Sequence, residues 1–236
     1  MTNNKIKFKA IILAGGKGSR LGVITKKTPK PLLKINRKEF LYYVIEYLKK
    51  NNINDFIVTT SYKSKLFDNY LTKNKNHKIK LVKEKNELGT GGSFLNVLKK
   101  SYFKKSHYHL LCNADTLLLF KLKNFINDIK KYQNCIFAVK RKNCSRYGKL
   151  QLKNGFIEDI VKNDQNSGLI SSGIFIFKNF NTKIFNFNRQ KLNFEEDIIK
   201  TMIKKKIKIK CLKVEKPFLD IGVPRDLKKA KKFIEN

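Results

Sequence analysis

The stretch "KAIILAGGKGSRLG" (Lys9–Gly22) runs from an apolar segment straight into three glycines within four residues, Gly15, Gly16 and Gly18, followed by Ser19 and Arg20. A near-continuous apolar run such as Phe8–Ala14 has the pattern of a strand buried on both faces, as in a parallel sheet. The glycines after it permit positive φ and close backbone approach. A turn of this kind can point backbone N–H groups at phosphate oxygens. Two familiar phosphate loops are excluded. The dinucleotide fingerprint needs a third glycine where Leu21 stands, and a Walker loop needs Ser or Thr where Lys17 is followed by Gly18. What is left is a phosphate-facing glycine turn or a plain strand-to-helix turn.

Working outward, strands and helices alternate without a linker. "KEFLYYVIEYLKKN" (Lys38–Asn51) spaces its apolar residues three and four apart and ends in Lys and Asn, as a helix does. "DFIVTT" and "KIKLVK" are strands around the helix "YKSKLFDNYLTK", and the loop "EKNELGTGG" leads into a helix through Leu98. "HYHLLCNAD" (His107–Asp115) is a strand ending in an acid, with a helix near 121–132 after it. Then the character changes. "CIFAVKR", "GKLQLK" and "FIEDIV" predict antiparallel strands, with a hairpin at Asn154-Gly155. "GLISSGIFIF" is a further strand; "NFEEDIIKTMIKK" and "PRDLKKAKKFIEN" are helices, Pro224 lying early in the second. This order predicts an α/β fold with a doubly wound, mostly parallel, Rossmann-like sheet and a small antiparallel hairpin insertion, in one domain over 1–236.

Composition narrows the function classes. With 41% apolar residues and no apolar run near the roughly 20 residues of a membrane span, no spanning segment is expected. The first apolar run ends in the glycine turn rather than a cleavage site, so the reading is cytoplasmic. Cys112, Cys135, Cys144 and Cys211 form no CxxC pair and are expected to be reduced thiols. The net charge of +35 would normally suggest a polyanionic partner. Here Lys greatly outnumbers Arg and is dispersed, whereas base and phosphate readers favour the planar guanidinium. No specific nucleic-acid partner is expected; a basic nucleic-acid binder and a silent nucleotide sensor are the readings from other classes.

Lys30 stands between Pro29 and Pro31 in "TPKPLLKI", and the two prolines predict an extended, rigid segment carrying this cation. "LAGGKGSRL" followed by "TPKPLL" resembles the signature of the sugar-1-phosphate nucleotidyltransferases. The likeness continues in order through "LGTGGS", "NADT", "SRYG", "GLISSGIFIF", "NFEEDII" and "FLDIGVPRDLKKA", nearly the full chain. "SRYG", "GLISSG", "NFEED" and "FLDIGVP" are most similar to the branch that uses D-glycero-α-D-manno-heptose 1-phosphate and GTP.

The resemblance implies transfer of a nucleoside monophosphate from an NTP to a sugar 1-phosphate, with pyrophosphate released. It assigns Arg20, Lys30 and Asp115 to catalysis, and Asp115 and Asp220 to a Mg²⁺ ion, which takes oxygen ligands and usually few carboxylates. From composition alone, each acid is equally a cap or turn carboxylate. It places the nucleotide on Leu13, Ala14, Gly15, Gly16, Lys17, Gly18, Ser19, Arg20, Lys30, Asn113 and Asp115. Glu84 and the turn Leu88–Gly89–Thr90 fall in the base and ribose loop, where Gly89 would let backbone approach the nucleoside and Glu84 or Glu87 could accept guanine N–H groups. Tyr147, Gly148, Ser172, Gly173 and Glu195 are implied for the sugar. Lys162 fills the place of the family's lysine, though the adjacent Glu is missing. Asn193 and Glu196 also have the spacing of a capping box. His107 and His109 share a strand face without a visible third metal ligand, so a structural role is expected. A homo-oligomer is compatible with this reading.

Overall fold

The computed structural model describes residues 6–74, 78–100, 108–185 and 191–235. Strand β1 (Phe8–Leu13) is followed by a 3₁₀ turn (Ser19–Leu21), the short helix α1 (Val23–Lys27) and a second 3₁₀ turn (Lys30–Leu32). A ribbon of β2 (Lys34–Ile35) and β3 (Lys38–Glu39) leads into α2 (Phe40–Lys50), β4 (Phe56–Thr60), α3 (Lys65–Lys73), β5 (Ile79–Lys83) and α4 (Gly89–Lys99). Next come β6 (Tyr108–Asn113), β7 (Thr116–Leu118), α5 (Ile126–Tyr132), β8 (Cys135–Arg141), β9 (Lys149–Lys153), β10 (Phe156–Val161) and β11 (Gly168–Phe177). A π-helical turn (Phe194–Ile199) continues into α6 (Lys200–Lys204), and β12 (Lys210–Lys213), β13 (Phe218–Asp220) and α7 (Pro224–Glu235) complete the order.

The main sheet runs β5-β4-β1-β6-β11-β8-β12-β10-β9. β5, β4, β1 and β6 are parallel, as the buried apolar runs predict. At β11 the direction reverses, because this strand is antiparallel to both β6 and β8. β12 lies parallel to β8, and the β9–β10 hairpin turns at Asn154 (φ 52°) and Gly155 (φ 79°), as the Asn-Gly pair predicts. Single bridges Phe156↔Lys210 and Ile170↔Lys149 close β11, β8, β12, β10 and β9 into a small ring. The expected mostly parallel sheet is thus corrected to a mixed one. An apolar run such as "GLISSGIFIF" signals burial on both faces, which does not encode the direction of its neighbours.

Alternation along β1 supplies both faces of the core. Ala10 and Ile12 join Val44 and Leu48 of α2, Phe67 of α3 and Ala230 of α7. Ile11 and Leu13 join Phe94 and Val97 of α4 and Met202 of α6. Helices therefore cover both faces, and the carboxyl ends of β1 and β6 open into the crevice where such sheets hold ligands. All four cysteines are free and buried. Burial pushes the Cys112 and Cys135 thiols up to about 12, so they behave as small apolar side chains. Among the described residues no helix is long and apolar enough to cross a membrane.

Candidate active site

The glycine turn leaves β1 through Ala14, whose N–H donates to Thr59 O at 3.0 Å. Leu13 and Ala14 are buried, while Gly16, Lys17 and Ser19 are exposed at the mouth. Gly18 has φ +66°, and a Cβ there would stand 3.3 Å from Lys30 Cβ, so glycine lets the turn lie against that lysine. Arg20 sits on the 3₁₀ turn and lines a cavity of about 360 Å³ together with Lys30, Asn113 and Asp115. The expected extended segment around Lys30 is not found. Leu32 N–H donates to Pro29 O (2.9 Å) and Leu33 N–H to Lys30 O (3.1 Å), so Lys30 opens a 3₁₀ turn between the extended residues Thr28–Pro29 and Leu33. That turn brings Lys30 Nζ to 2.5 Å from Asp115 Oδ2.

Asp115 and Asp220, far apart in the chain, meet through a two-stranded ribbon that the sequence reading did not contain. β13 pairs antiparallel with β7, placing Asp220 opposite Thr116, and Ile221 N–H donates to Asp115 O at 3.1 Å. Asp220 Oδ2 accepts from Tyr147 Oη at 3.0 Å and lies 3.4 Å from Arg146 Nη2. Burial, and then the charge of Asp115, holds the Asp220 carboxyl above the usual carboxylate range. Two carboxylates lining one cavity are the donor type a hard divalent cation takes. Among the described residues no group of three or more His, Cys, Asp or Glu is placed to hold a metal, so such an ion would draw its other ligands from water and phosphate, the habit of Mg²⁺. His109 is buried within β6; His107 lies outside the described residues.

The far wall of the same cavity holds Tyr147, Gly148, Lys162, Ser172, Gly173 and Glu195. Two of these turn their hydroxyls to partners within the protein. Tyr147 turns its hydroxyl to Asp220, and Ser172 gives its hydroxyl to Phe137 O at 2.8 Å while 1% exposed. The neighbouring Ser171 faces the site instead, accepting from Gly173 N–H at 3.1 Å and bonding Glu195. The cause is a register shift between Ser171 and Ile174 that breaks the alternation of β11. Gly173, at φ +75°, leaves room for Asn113, whose Nδ2 lies 2.5 Å from where a Cβ would be.

Glu195 rides the π turn, and burial, then the adjacent Glu196, raises its carboxyl pKa. Asn193 caps this turn through Glu195 N–H (2.9 Å) and Glu196 N–H (3.0 Å). The reciprocal acid is not Glu196 but Asp197, whose Oδ2 accepts from Asn193 N–H at 2.7 Å. The wider π turn moves that role one residue on, and Glu196 lies 3.4 Å from Lys162 Nζ instead.

A second cavity, of about 440 Å³, adjoins the first at Thr90 and Asn193 and is walled by Gly15, Gly16, Glu84 and Leu88. Glu84 is buried, accepts from Ser93 Oγ at 2.9 Å, and is pushed up to about 7 by burial. Helix α4 starts at Gly89, so the expected loop "GTGG" is helical. Gly89 (φ +72°) is also approached by the chain itself: a Cβ there would collide with Leu192 O, which accepts from Gly91 N–H at 2.8 Å. Thr90 Oγ1 accepts from Phe194 N–H at 2.9 Å. At the rim Lys17 and Lys191 lie 3.9 and 3.0 Å from Glu87.

Residues 9–236 match the nucleotidyl transferase family. The chain belongs to that family. Over 231 residues this nucleotidyl transferase is 37% identical to the D-glycero-alpha-D-manno-heptose 1-phosphate guanylyltransferase of Campylobacter jejuni, covering 93% of this chain and 96% of the relative. The enzyme of the same name from Aneurinibacillus thermoaerophilus is 32% identical, with 97% and 99% covered. Among solved structures, HddC from Yersinia pseudotuberculosis complexed with GMP-PN is similar at a TM-score of 0.79 and 30% identity, with 96% and 99% covered.

The fold of this nucleotidyl transferase gathers Arg20, Lys30, Asn113, Asp115, Asp220 and Glu195 around one cavity, and Glu84, Leu88 and Gly89 around its neighbour. Sequence reasoning missed Ser93, Ser171 and Arg146. Arg146 was within view in "SRYG", and Ser93 stands one helical turn after Gly89. The role of Ser171 had no signal, because a β-bulge leaves no mark in an apolar run.

Proposed function

We propose that this chain transfers GMP from GTP to D-glycero-α-D-manno-heptose 1-phosphate within a single domain, yielding GDP-heptose and pyrophosphate. The observation that carries the reading is the pair of adjoining cavities, with a buried acid in one and the Lys30–Asp115–Asp220 group in the other. The names of the two bacterial relatives supply the base and the sugar.

A sugar 1-phosphate has a second pKa near 6, so at neutral pH it attacks as a dianion and needs no general base. One of its oxygens forms a bond to the α-phosphorus as the bond to the bridging oxygen breaks, and that electron pair leaves with pyrophosphate. The work is to bring two polyanions together. Arg20 and Lys30 offset the triphosphate charge, and Lys162 faces the sugar phosphate. A divalent cation, Mg²⁺ in this reading, would be held by Asp115 and Asp220 and would neutralise phosphate oxygens as charge moves. Glu195 and Ser171 accept sugar hydroxyls. Glu84 accepts the guanine N1–H and 2-amino donors, and a wrong base leaves that buried carboxylate unpaired.

The test is pyrophosphate release with each NTP against a panel of sugar 1-phosphates, with GTP and the heptose 1-phosphate expected to be the best pair. CTP or UTP outperforming GTP would overturn the base. Good turnover of a hexose 1-phosphate with every heptose phosphate inert would overturn the sugar.

A further inference from the structure

Arg146 and Asp226 have no part in the chemistry above, yet they act on one of its carboxylates. Arg146 Nη1 lies 2.6 Å from Asp226 Oδ2 in the first turn of α7, whereas Nη2 lies 3.4 Å from Asp220 Oδ2. The Tyr147 hydroxyl, beneath the guanidinium, reaches the same Oδ2 at 3.0 Å. Both groups that hold the carboxylate therefore share one oxygen. The other, Oδ1, lies 2.8 Å from where a Cβ on Gly222 would stand, so the glycine keeps it uncovered.

The unequal distances matter chemically. A guanidinium released from Asp226 could close on Asp220 as a two-pronged pair, which is the strong form of this contact. That would cancel the negative charge a divalent cation needs. Held at 2.6 Å by Asp226, the guanidinium steadies Oδ2 while its main pairing is elsewhere. Asp226 does not line the cavity that holds Asp115.

We propose that Asp226 is a positioning residue for the cation site: by anchoring Arg146 it keeps Asp220 oriented but not neutralised, and so couples helix α7 to divalent-cation binding. This rests on the reading of Asp115 and Asp220 as cation ligands.

The experiment is Mn²⁺ titration of the full chain by electron paramagnetic resonance, with a non-hydrolysable GTP analogue and no sugar phosphate. Asp226→Asn is expected to weaken Mn²⁺ binding about tenfold, the scale of losing an outer-shell partner. Asp226→Glu, which keeps a carboxylate, is expected to recover most of it. In an Arg146→Ala background, Asp226→Asn is expected to change Mn²⁺ affinity less than about twofold, because no guanidinium remains to be released. A role limited to the helix N-terminus would give equal effects in both backgrounds. Equal effects, or wild-type binding by Asp226→Asn while Asp220→Asn loses Mn²⁺, overturn the inference alone. Wild-type binding by Asp220→Asn overturns the cation reading and the inference with it.

Discussion

At the end of the site proposed for the base one buried acid stands beside glycine backbone, whereas at the end proposed for the sugar opposite charges meet across a more polar cavity. Glu84 accepts from Ser93 Oγ at 2.9 Å, and Gly15, Gly16 and Gly89 line the cavity beside it. Across Thr90, Lys30 pairs with Asp115, Arg146 with Asp220 and Lys162 with Glu196. In the proposed function the first end discriminates through the buried Glu84, whose carboxylate a wrong base would leave unmatched. The second, in the same proposal, stabilises moving charge. Volume changes should therefore damage the first end and charge changes the second.

The largest effect should come from charge at the cation end. Asp115→Asn and Asp220→Asn are each expected to lower kcat/KM about a thousandfold, about 4 kcal/mol of transition-state stabilisation, in a Mg²⁺-dependent pyrophosphate-release assay. Near-normal kcat/KM in both would break the comparison.

Glu84 tests the other end through pH. Burial pushes its carboxyl up to about 7 from the ordinary 4.5, so the folded state holds its proton more tightly. Stability contributed by the protonated form is present below pH 4.5, falls as pH rises towards 7 and is lost above it, a change of about 3 kcal/mol. In Glu84→Gln that loss is absent, so thermal melts should show the variant gaining on the wild type between those pH values. Over the same range, ionisation of Glu84 should increase the preference for GTP over ATP in the wild type only.

Next is volume at the base end. Gly89→Ala drives a Cβ into Leu192 O and should cost about 1–3 kcal/mol in denaturant unfolding, with KM for GTP raised. Smaller again, Ser172→Ala should cost about 1 kcal/mol and leave KM for the sugar phosphate within about twofold, while Ser171→Ala raises it. The smallest effect is that of the dispersed lysines. DNA binding measured by anisotropy should be weak, indifferent to sequence and gone near physiological salt.

The sequence carried the parallel strands, the Asn154-Gly155 hairpin and most of the side chains around the two cavities, because these leave local marks: apolar runs, turn residues, ordered motifs. It did not carry the direction of β11, since burial on both faces looks alike in parallel and antiparallel neighbours. Nor did it carry the facing of Ser171 against Ser172 or the shift from Glu196 to Asp197. A bulge and a π turn each insert one residue into a regular period, and neither insertion changes composition. The 3₁₀ turn at Lys30 failed for a different reason: a residue before proline is biased away from the helical region, and tertiary contacts such as the Lys30–Asp115 pair override that bias.

The β7–β13 ribbon has a consequence for how the protein is made. Asp115 leaves the ribosome well before Asp220, with the β8–β12 ring between them. At about 5–20 residues per second, synthesis of that interval takes on the order of 5–20 seconds. The glycine turn, Lys30 and Glu84 have all been synthesised when that wait begins, whereas Asp220 has not. Leu192 and Phe194, which close on Gly91 and Thr90, also emerge within that interval, so the wall of the second cavity is completed late and the Asp115–Asp220 end later still, once β13 has closed on β7.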